Sequence, residues 1–121
     1  MTMSENTFRT DGTIDSFENQ HRGRDYHIEF EATEFTSVCP MTGQPDFGSV
    51  TIRYVPEARC IELRSFKFYL QSYRNRGIFY EDVANQILDD IVAAVAPRQL
   101  EVIAAMHVRG GISARVTAAF P

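Results

Sequence analysis

The stretch Phe79-Tyr-Glu-Asp-Val-Ala-Asn-Gln-Ile-Leu-Asp-Asp-Ile-Val-Ala-Ala-Val-Ala-Pro97 decides how the rest of the chain is read. Val83, Ile87, Ile91 and Val95 recur every four residues and so share one face of an α-helix, while Glu81, Asp82, Asp89 and Asp90 favour the other faces. Pro97 lacks the N–H a helix needs and ends it. Ile91 to Ala96, the longest apolar run, is far too short to span a bilayer. A helix with a single apolar face has to bury that face against other elements.

Those elements lie on both sides. Downstream, Leu100, Val102 and Ile103 open a strand, Arg109-Gly-Gly111 is a tight turn, and Ile112, Ala114, Val116 and Ala118 alternate in a second strand. Upstream, Ser65 caps a shorter helix over Phe66 to Arg74, and Asn75-Arg-Gly77 stops it with Gly77 at the left-handed position. Arg59 to Arg64 begins extended. Val50, Ile52 and Tyr54 form the inward face of a strand ended by Pro56, and Tyr26, Ile28 and Phe30 alternate with His27, Glu29 and Glu31 in another. The order ββααββ predicts an α+β domain with an antiparallel sheet. Such a sheet has open edges, and pairing across subunits into a closed barrel is one way to cover them. Residues 1–22 lack apolar periodicity and are expected to form a flexible N-terminal arm; residues 23–121 form the single domain.

Composition narrows the function. The chain has 121 residues, 44% hydrophobic and 23% charged, which is one ordinary globular domain. A domain this small does not enclose a deep pocket alone, so a small-molecule site is expected to borrow walls from a neighbouring copy. Twelve basic against sixteen acidic residues give a net charge of −4, which argues against nucleic acid or an anionic membrane as partner. Two cysteines make no disulfide framework, and no Cys or His spacing suggests a metal site. The polar start Met1-Thr-Met-Ser-Glu-Asn has no signal-peptide h-region, so a cytoplasmic protein with free thiols is expected.

Few residues carry chemistry. Cys39 lies in the loop Thr36-Ser-Val-Cys-Pro-Met-Thr-Gly-Gln-Pro-Asp46, with a carboxyl group seven residues on. A thiolate needs access and proton traffic, and both are on offer there; a lone Cys is otherwise most often a small buried hydrophobe. Cys60 alternates with Ile61 at a strand start and reads as structural. Arg64 and Lys67, the only lysine, are three apart and share a helix face near its start, a natural place for an anion or a solvated basic face. Glu81 at the start of the long helix suits either the helix dipole or the amidine-like edge of a guanine-type base. Arg109 before the glycine turn is free for a phosphate or for water. His21, His27 and His107 read as surface or packing residues.

In combination these segments resemble a known family. Thr36 to Phe47, Glu62-Leu-Arg-Ser-Phe-Lys-Phe-Tyr69 and Arg109-Gly-Gly-Ile-Ser113 look like the short, single-domain QueF-type nitrile reductases, the NADPH-dependent 7-cyano-7-deazaguanine reductases of queuosine biosynthesis. The resemblance runs from about residue 24 to residue 118. It implies the tunnelling fold, shared with GTP cyclohydrolase I, in which several ββααββ subunits close a barrel and sites lie between chains. It implies Cys39 as the nucleophile that forms a thioimide, Asp46 as proton donor, and Ile61, Glu62, Leu63, Tyr80 and Glu81 as substrate contacts. It implies Arg64, Lys67 and Arg109 as holders of NADPH, two of which are used per turnover with no metal, and a homo-oligomer of ten subunits in two stacked pentamers. Two relatives within the fold are the alternatives: an amidinotransferase-like enzyme that adds ammonia to the same thioimide, and a non-catalytic purine- or pterin-binding protein. Three positions depart from the family pattern. Tyr80 stands where the family has His, Arg64 where it has Lys, and Val83 where some members carry a second Cys that protects the first.

Overall fold

A computed structural model describes residues 11–121. Its element order is β1 (Ser16–Glu18), β2 (Ile28–Val38), β3 (Pro45–Val55), β4 (Arg59–Ile61), α1 (Leu63–Gln71), α2 (Tyr80–Val95), β5 (Gln99–Arg109) and β6 (Ile112–Phe120). The four long strands form one antiparallel sheet in the order β2-β3-β5-β6, and β1 pairs with β4 in a small second sheet. This is the expected α+β architecture with two hairpins flanking a helical pair, and β3 and β5 join the hairpins at the centre of the sheet.

Alternation builds the core. On β3, Val50, Ile52 and Tyr54 face the helices, and on β5 so do Leu100, Val102, Ala104 and Met106. From the other side α2 presents Val83, Ala84, Ile87, Ile91 and Val95, all buried, and it lies against β5 and β6. The shorter α1 adds Phe66, Tyr69 and Leu70. A polar clasp joins the two helices: the Tyr69 hydroxyl donates to Asp90 Oδ2 at 2.5 Å and lies 2.8 Å from the Tyr73 hydroxyl, while Gln86 Nε2 donates to Asp90 Oδ1 at 3.0 Å. Burial raises the ionisation of Tyr69 and Tyr73 above the ordinary phenol value, so both hydroxyls keep their protons.

Several boundaries differ from the sequence expectation, each for a local reason. Composition alone suggests an arm over residues 1–22; from residue 11 onward the structure corrects this. Ser16–Glu18 pairs with Arg59–Ile61. Asn19 is buried: its amide donates to the Glu57 carbonyl at 2.8 Å and its Oδ1 accepts from the Tyr26 hydroxyl at 2.6 Å. The part of that segment before residue 11 lies outside the described residues. The cap of α1 is Glu62 rather than Ser65. The Glu62 carboxylate accepts from the Ser65 N–H at 2.7 Å and the Arg64 N–H at 3.0 Å, so the helix starts at Leu63. The buried Ser65 hydroxyl instead donates to the Glu62 carbonyl and accepts from the Asp15 N–H, both at 2.8 Å. Gly77 is not left-handed; Ala96, ahead of Pro97, takes that conformation at the end of α2 with φ 43°. The loop around Cys39 is shorter than its composition suggests, because β2 runs to Val38 and β3 begins at Pro45.

Two glycine positions are demanded by geometry. Gly110 and Gly111 turn the β5–β6 hairpin with φ of 59° and 81°, as the sequence indicates. Gly48 is a different case, set by the close approach of β5. A Cβ there would lie 2.5 Å from the Ala105 carbonyl oxygen and 2.8 Å from Met106 Cα. We expect Gly48→Ala to destabilise the fold by about 2 kcal/mol, because two backbones must separate to admit one methyl group. Urea unfolding checks this, and an unchanged midpoint would show that β3 and β5 can separate freely.

Candidate active site

The inward row on β3 begins with a carboxylate. Asp46 has the same parity as Gly48, Val50, Ile52 and Tyr54, so its side chain enters the helix-facing side of the sheet and is only 5% exposed. A buried carboxylate needs donors, since leaving one charge unpaired inside a protein costs several kcal/mol. Two elements supply them. The Arg109 guanidinium, at the end of β5, reaches Asp46 Oδ1 at 2.5 Å and the Pro45 carbonyl at 3.0 Å. The Tyr80 hydroxyl, at the start of α2, donates to the same Oδ1 at 3.0 Å. Thr36 Oγ1 donates to the Asp46 carbonyl at 2.8 Å and holds the strand end in place.

The Cys39 loop folds over this point. The Cys39 N–H donates to the Gln44 carbonyl at 2.9 Å, and the Gly43 N–H donates to the Cys39 carbonyl at 2.8 Å. The segment before α2 is stitched beside it: the Val38 N–H donates to the Arg76 carbonyl at 3.1 Å and the Ile78 N–H to the Val38 carbonyl at 3.0 Å. That pairing brings Tyr80 and Glu81 next to Cys39. Cys39, Thr42, Asp46, Tyr80, Glu81 and Arg109 accordingly line one cavity of about 320 Å³, a volume that suits a small heterocycle.

The thiol is tuned by its own loop. The Thr42 hydroxyl, then the backbone N–H groups of Thr42 and Met41, donate toward the sulfur and lower its ionisation below the ordinary thiol range. Partial burial and the nearby Asp46 charge act the other way but do not win. The Gln44 N–H donates to Thr42 Oγ1 at 3.2 Å, which leaves the Thr42 proton for the sulfur. Thr42 is a functional residue that the sequence reading quoted without giving it a role; its position three residues after Cys39, in a turn that Gly43 closes, was the available signal. Glu81 is exposed on the first turn of α2, and no donor among the described residues holds its carboxylate.

The remaining predicted residues are not brought here within one chain. Ile61 is buried in the core at 2% exposure. The Glu62 carboxylate is spent on the cap of α1, and hydrogen bonds from Ser65 and Arg64 hold it below the usual carboxylate range against the opposing effect of burial. Leu63 and Lys67 line a different cavity of about 410 Å³, between α1 and the β2 segment Phe30–Thr36. Lys67 Nζ sits 4.9 Å over the Phe68 ring and pairs with no carboxylate among the described residues. Lys67 thus stands on α1 beside Leu63, Phe66 and Leu70 in this groove, which Glu31, Glu34 and Arg74 also line, while Arg64 lies outside it with its guanidinium 3.8 Å from Glu62 Oε2. Arg109, expected with them, is on Asp46 instead. Cys60 is buried, with the Tyr26 hydroxyl 3.7 Å from its sulfur, and lines neither cavity.

A family model described as QueF-like protein matches residues 45–120. The chain belongs to the QueF-like family. Curated relatives named NADPH-dependent 7-cyano-7-deazaguanine reductase include that of Chloroherpeton thalassium, 52% identical over 107 residues, covering 88% of this chain and 92% of the relative. Those of Chlorobium chlorochromatii and Anaeromyxobacter sp. (strain K) are each 55% identical, covering 86% and 87% of this chain and 90% and 86% of the relatives. Among solved structures, the archaeosine synthase QueF-Like in its apo form matches this QueF-like chain with a TM-score of 0.68 at 28% identity, covering 78% of this chain and 90% of that one. The fold is the tunnelling fold that the sequence resemblance implied, and no helix among the described residues is long and apolar enough to cross a membrane.

The site makes a prediction that needs no substrate. Thr42→Val removes the strongest influence lowering the Cys39 thiol, so the midpoint of its alkylation by iodoacetamide moves to higher pH and the rate at pH 7 falls. Asp46→Asn removes a charge that raises it, so its midpoint moves to lower pH. Shifts in the same direction would show that the loop does not control the sulfur.

Proposed function

We propose that this chain is an NADPH-dependent nitrile reductase that converts 7-cyano-7-deazaguanine to 7-aminomethyl-7-deazaguanine for queuosine synthesis. The observation that carries this reading is the meeting of the tuned Cys39 thiol and the Asp46 carboxyl group in one cavity, with the free Glu81 carboxylate at its wall. Relatives bearing that activity in their names, at half identity over nearly their full length, support it.

The chemistry follows from the groups present. Cys39 Sγ adds to the nitrile carbon, and one C–N π bond opens. The nitrogen takes a proton from Asp46, giving a thioimide on the enzyme. A thioimide carbon is a far better hydride acceptor than a nitrile, which is the reason to use a thiol. NADPH, when bound, supplies one hydride per molecule, and two molecules complete the reduction. Between the two reductions the C–S bond breaks and Cys39 leaves as the thiolate, giving an imine, and the second reduction, with a further proton that Asp46 regains from water and passes to nitrogen, would give the aminomethyl group. Glu81 accepts hydrogen bonds from the amidine-like edge of the base and fixes its pose. Arg64 and Lys67 hold the cofactor's anionic groups; the archaeosine synthase, at lower identity, is the less similar comparison.

The working form is a ring-based homo-oligomer, ten subunits as two stacked pentamers. Strands β2 and β6 are the outer strands of the sheet, and among the described residues no further strand pairs with either, apart from the bridge of Val38 to Gly77. Phe17, Phe47, Leu63, Phe79 and Ile112 are large apolar side chains each more than 45% exposed. Within one chain Lys67 and the thiol line separate cavities and Arg64 lines neither, so a neighbour's α1 is the means of bringing them together.

Two outcomes are expected. Cys39→Ala abolishes both the covalent substrate adduct, read by intact mass, and NADPH oxidation, while Cys60→Ala retains most turnover; equal loss in two folded variants would remove Cys39 from its role. Light scattering on an active sample gives a ring assembly, and dilution that dissociates it abolishes turnover. An active monomer would end the shared-site reading.

A further inference from the structure

We propose that Tyr80 is a positioning residue: with Arg109 it grips the Asp46 carboxylate by Oδ1 alone and so presents Oδ2 to the nitrile nitrogen beside Cys39. The inference rests on the nitrile-reductase reading and assigns Tyr80 a task other than contacting substrate.

The geometry is specific to one oxygen. Arg109 Nη1 and the Tyr80 hydroxyl both donate to Oδ1, at 2.5 Å and 3.0 Å. Among the described residues no donor reaches Oδ2. A carboxyl group otherwise turns broadly about its terminal torsion. Two donors arriving from different elements, α2 and β5, select one orientation and make the two oxygens unequal. The oxygen without a donor is the one able to carry a transferable proton, because Oδ1 already accepts twice. Misplacing a reacting group by about 1 Å costs roughly 100-fold in rate, so fixing this torsion has a direct kinetic consequence.

The same contacts limit what else Tyr80 does. A phenol has one proton to donate, and Asp46 receives it; only acceptor capacity is left for substrate. The groups facing Tyr80 are Asp46 from β3, Arg109 from β5, Cys39 from the loop and Glu81 from its own helix. Burial first, then the hydrogen bond and charge of Asp46, raise the phenol's ionisation above its ordinary value, with Arg109 opposing. Tyr80 therefore keeps its proton, and keeps its grip, throughout the neutral range. A histidine at this position would titrate there.

The test has a substrate-free arm and a kinetic arm. In protein labelled with 13C at tyrosine Cζ, the Tyr80 resonance, assigned by its loss in Tyr80→Phe, is expected to titrate above free tyrosine and to move down in Asp46→Asn. No movement would overturn the contact on which the proposal stands. With 7-cyano-7-deazaguanine, Tyr80→Phe is expected to keep the Cys39 adduct, which also shows that the variant is folded. Its kcat is expected to fall about 10-fold or more while KM stays within about 3-fold. Tyr80→His is expected to restore much of that kcat and to add an ionisation near pH 6.5 to the rate profile that the unaltered enzyme lacks. Wild-type kcat in Tyr80→Phe, or a loss confined to KM, would overturn the positioning role. If the unaltered protein forms no adduct and oxidises no NADPH, the reductase reading falls and takes the catalytic role with it, while the resonance shift separately reports the contact itself.

Discussion

The Asp46 carboxylate, buried on the core face of β3, is the constraint around which the working end of this molecule is arranged. A charge in that position has to be met by donors, and the donors come from elements distant in sequence. Meeting it draws the end of β5 and the start of α2 onto the start of β3, and the Cys39 loop, which joins β2 to β3, closes over the same point. The rest of the row on β3 is apolar, so the same strand anchors the hydrophobic core with Ile52 and Tyr54 and the chemistry with Asp46. Gly48 sits between the two regions and lets the backbone of β5 come close enough for Arg109 to arrive.

On the proposed reading, Cys39 as nucleophile and Asp46 as proton donor impose opposite electrostatic demands. A carboxylate near a sulfur disfavours the thiolate, yet the donor has to be near the bond it serves. The loop resolves the conflict locally. Three donors, the Thr42 hydroxyl and two backbone N–H groups, favour the charged sulfur more than Asp46 disfavours it. Arg109, paired with the carboxylate, offsets part of the same charge. This explains why the loop carries a tight turn directly after Cys39 rather than an extended segment: only a turn aims consecutive N–H groups at one atom.

Much of this was legible in the residues, and the gaps have physical causes. Parity identified the buried face of β3, the four-residue recurrence identified α2, and the two glycines identified the last hairpin, while β5 was located by Leu100, Val102 and Ile103 without its buried face being read. The burial of Asp46 could have been read the same way, since it shares parity with Val50, Ile52 and Tyr54; its position in a loop-like stretch of Pro and Gly hid the pattern. The cap of α1 was misassigned because Ser is the commoner choice, whereas here the longer Glu62 carboxylate reaches two backbone donors and Ser65 is needed to tie Asp15. Strand β1 escaped because three residues show no period, and only its pairing with Arg59–Ile61 and the buried Asn19 fix it. The resemblance implied a pair of cations on α1, but it could not say that a single chain sets Lys67 in a cavity apart from Cys39 and leaves Arg64 outside both.

Tyr80, where the sequence resemblance implied a histidine, is the point at which sequence and structure say different things. From sequence it is a loss, since a phenol cannot exchange protons near neutral pH. In the structure the position needs a donor to Asp46 Oδ1, and a phenol whose ionisation is raised by burial and by that same carboxylate is a permanent one. A histidine would serve as donor too, but a proton exchanging at its ring would change the charge beside Asp46 and Cys39 across the physiological range. With Tyr80 the number of charges in the cavity is set by Cys39, Asp46, Glu81 and Arg109 alone. On the proposed reading, proton delivery is thereby confined to one acidic group, and the residue beside it is left with orientation as its task.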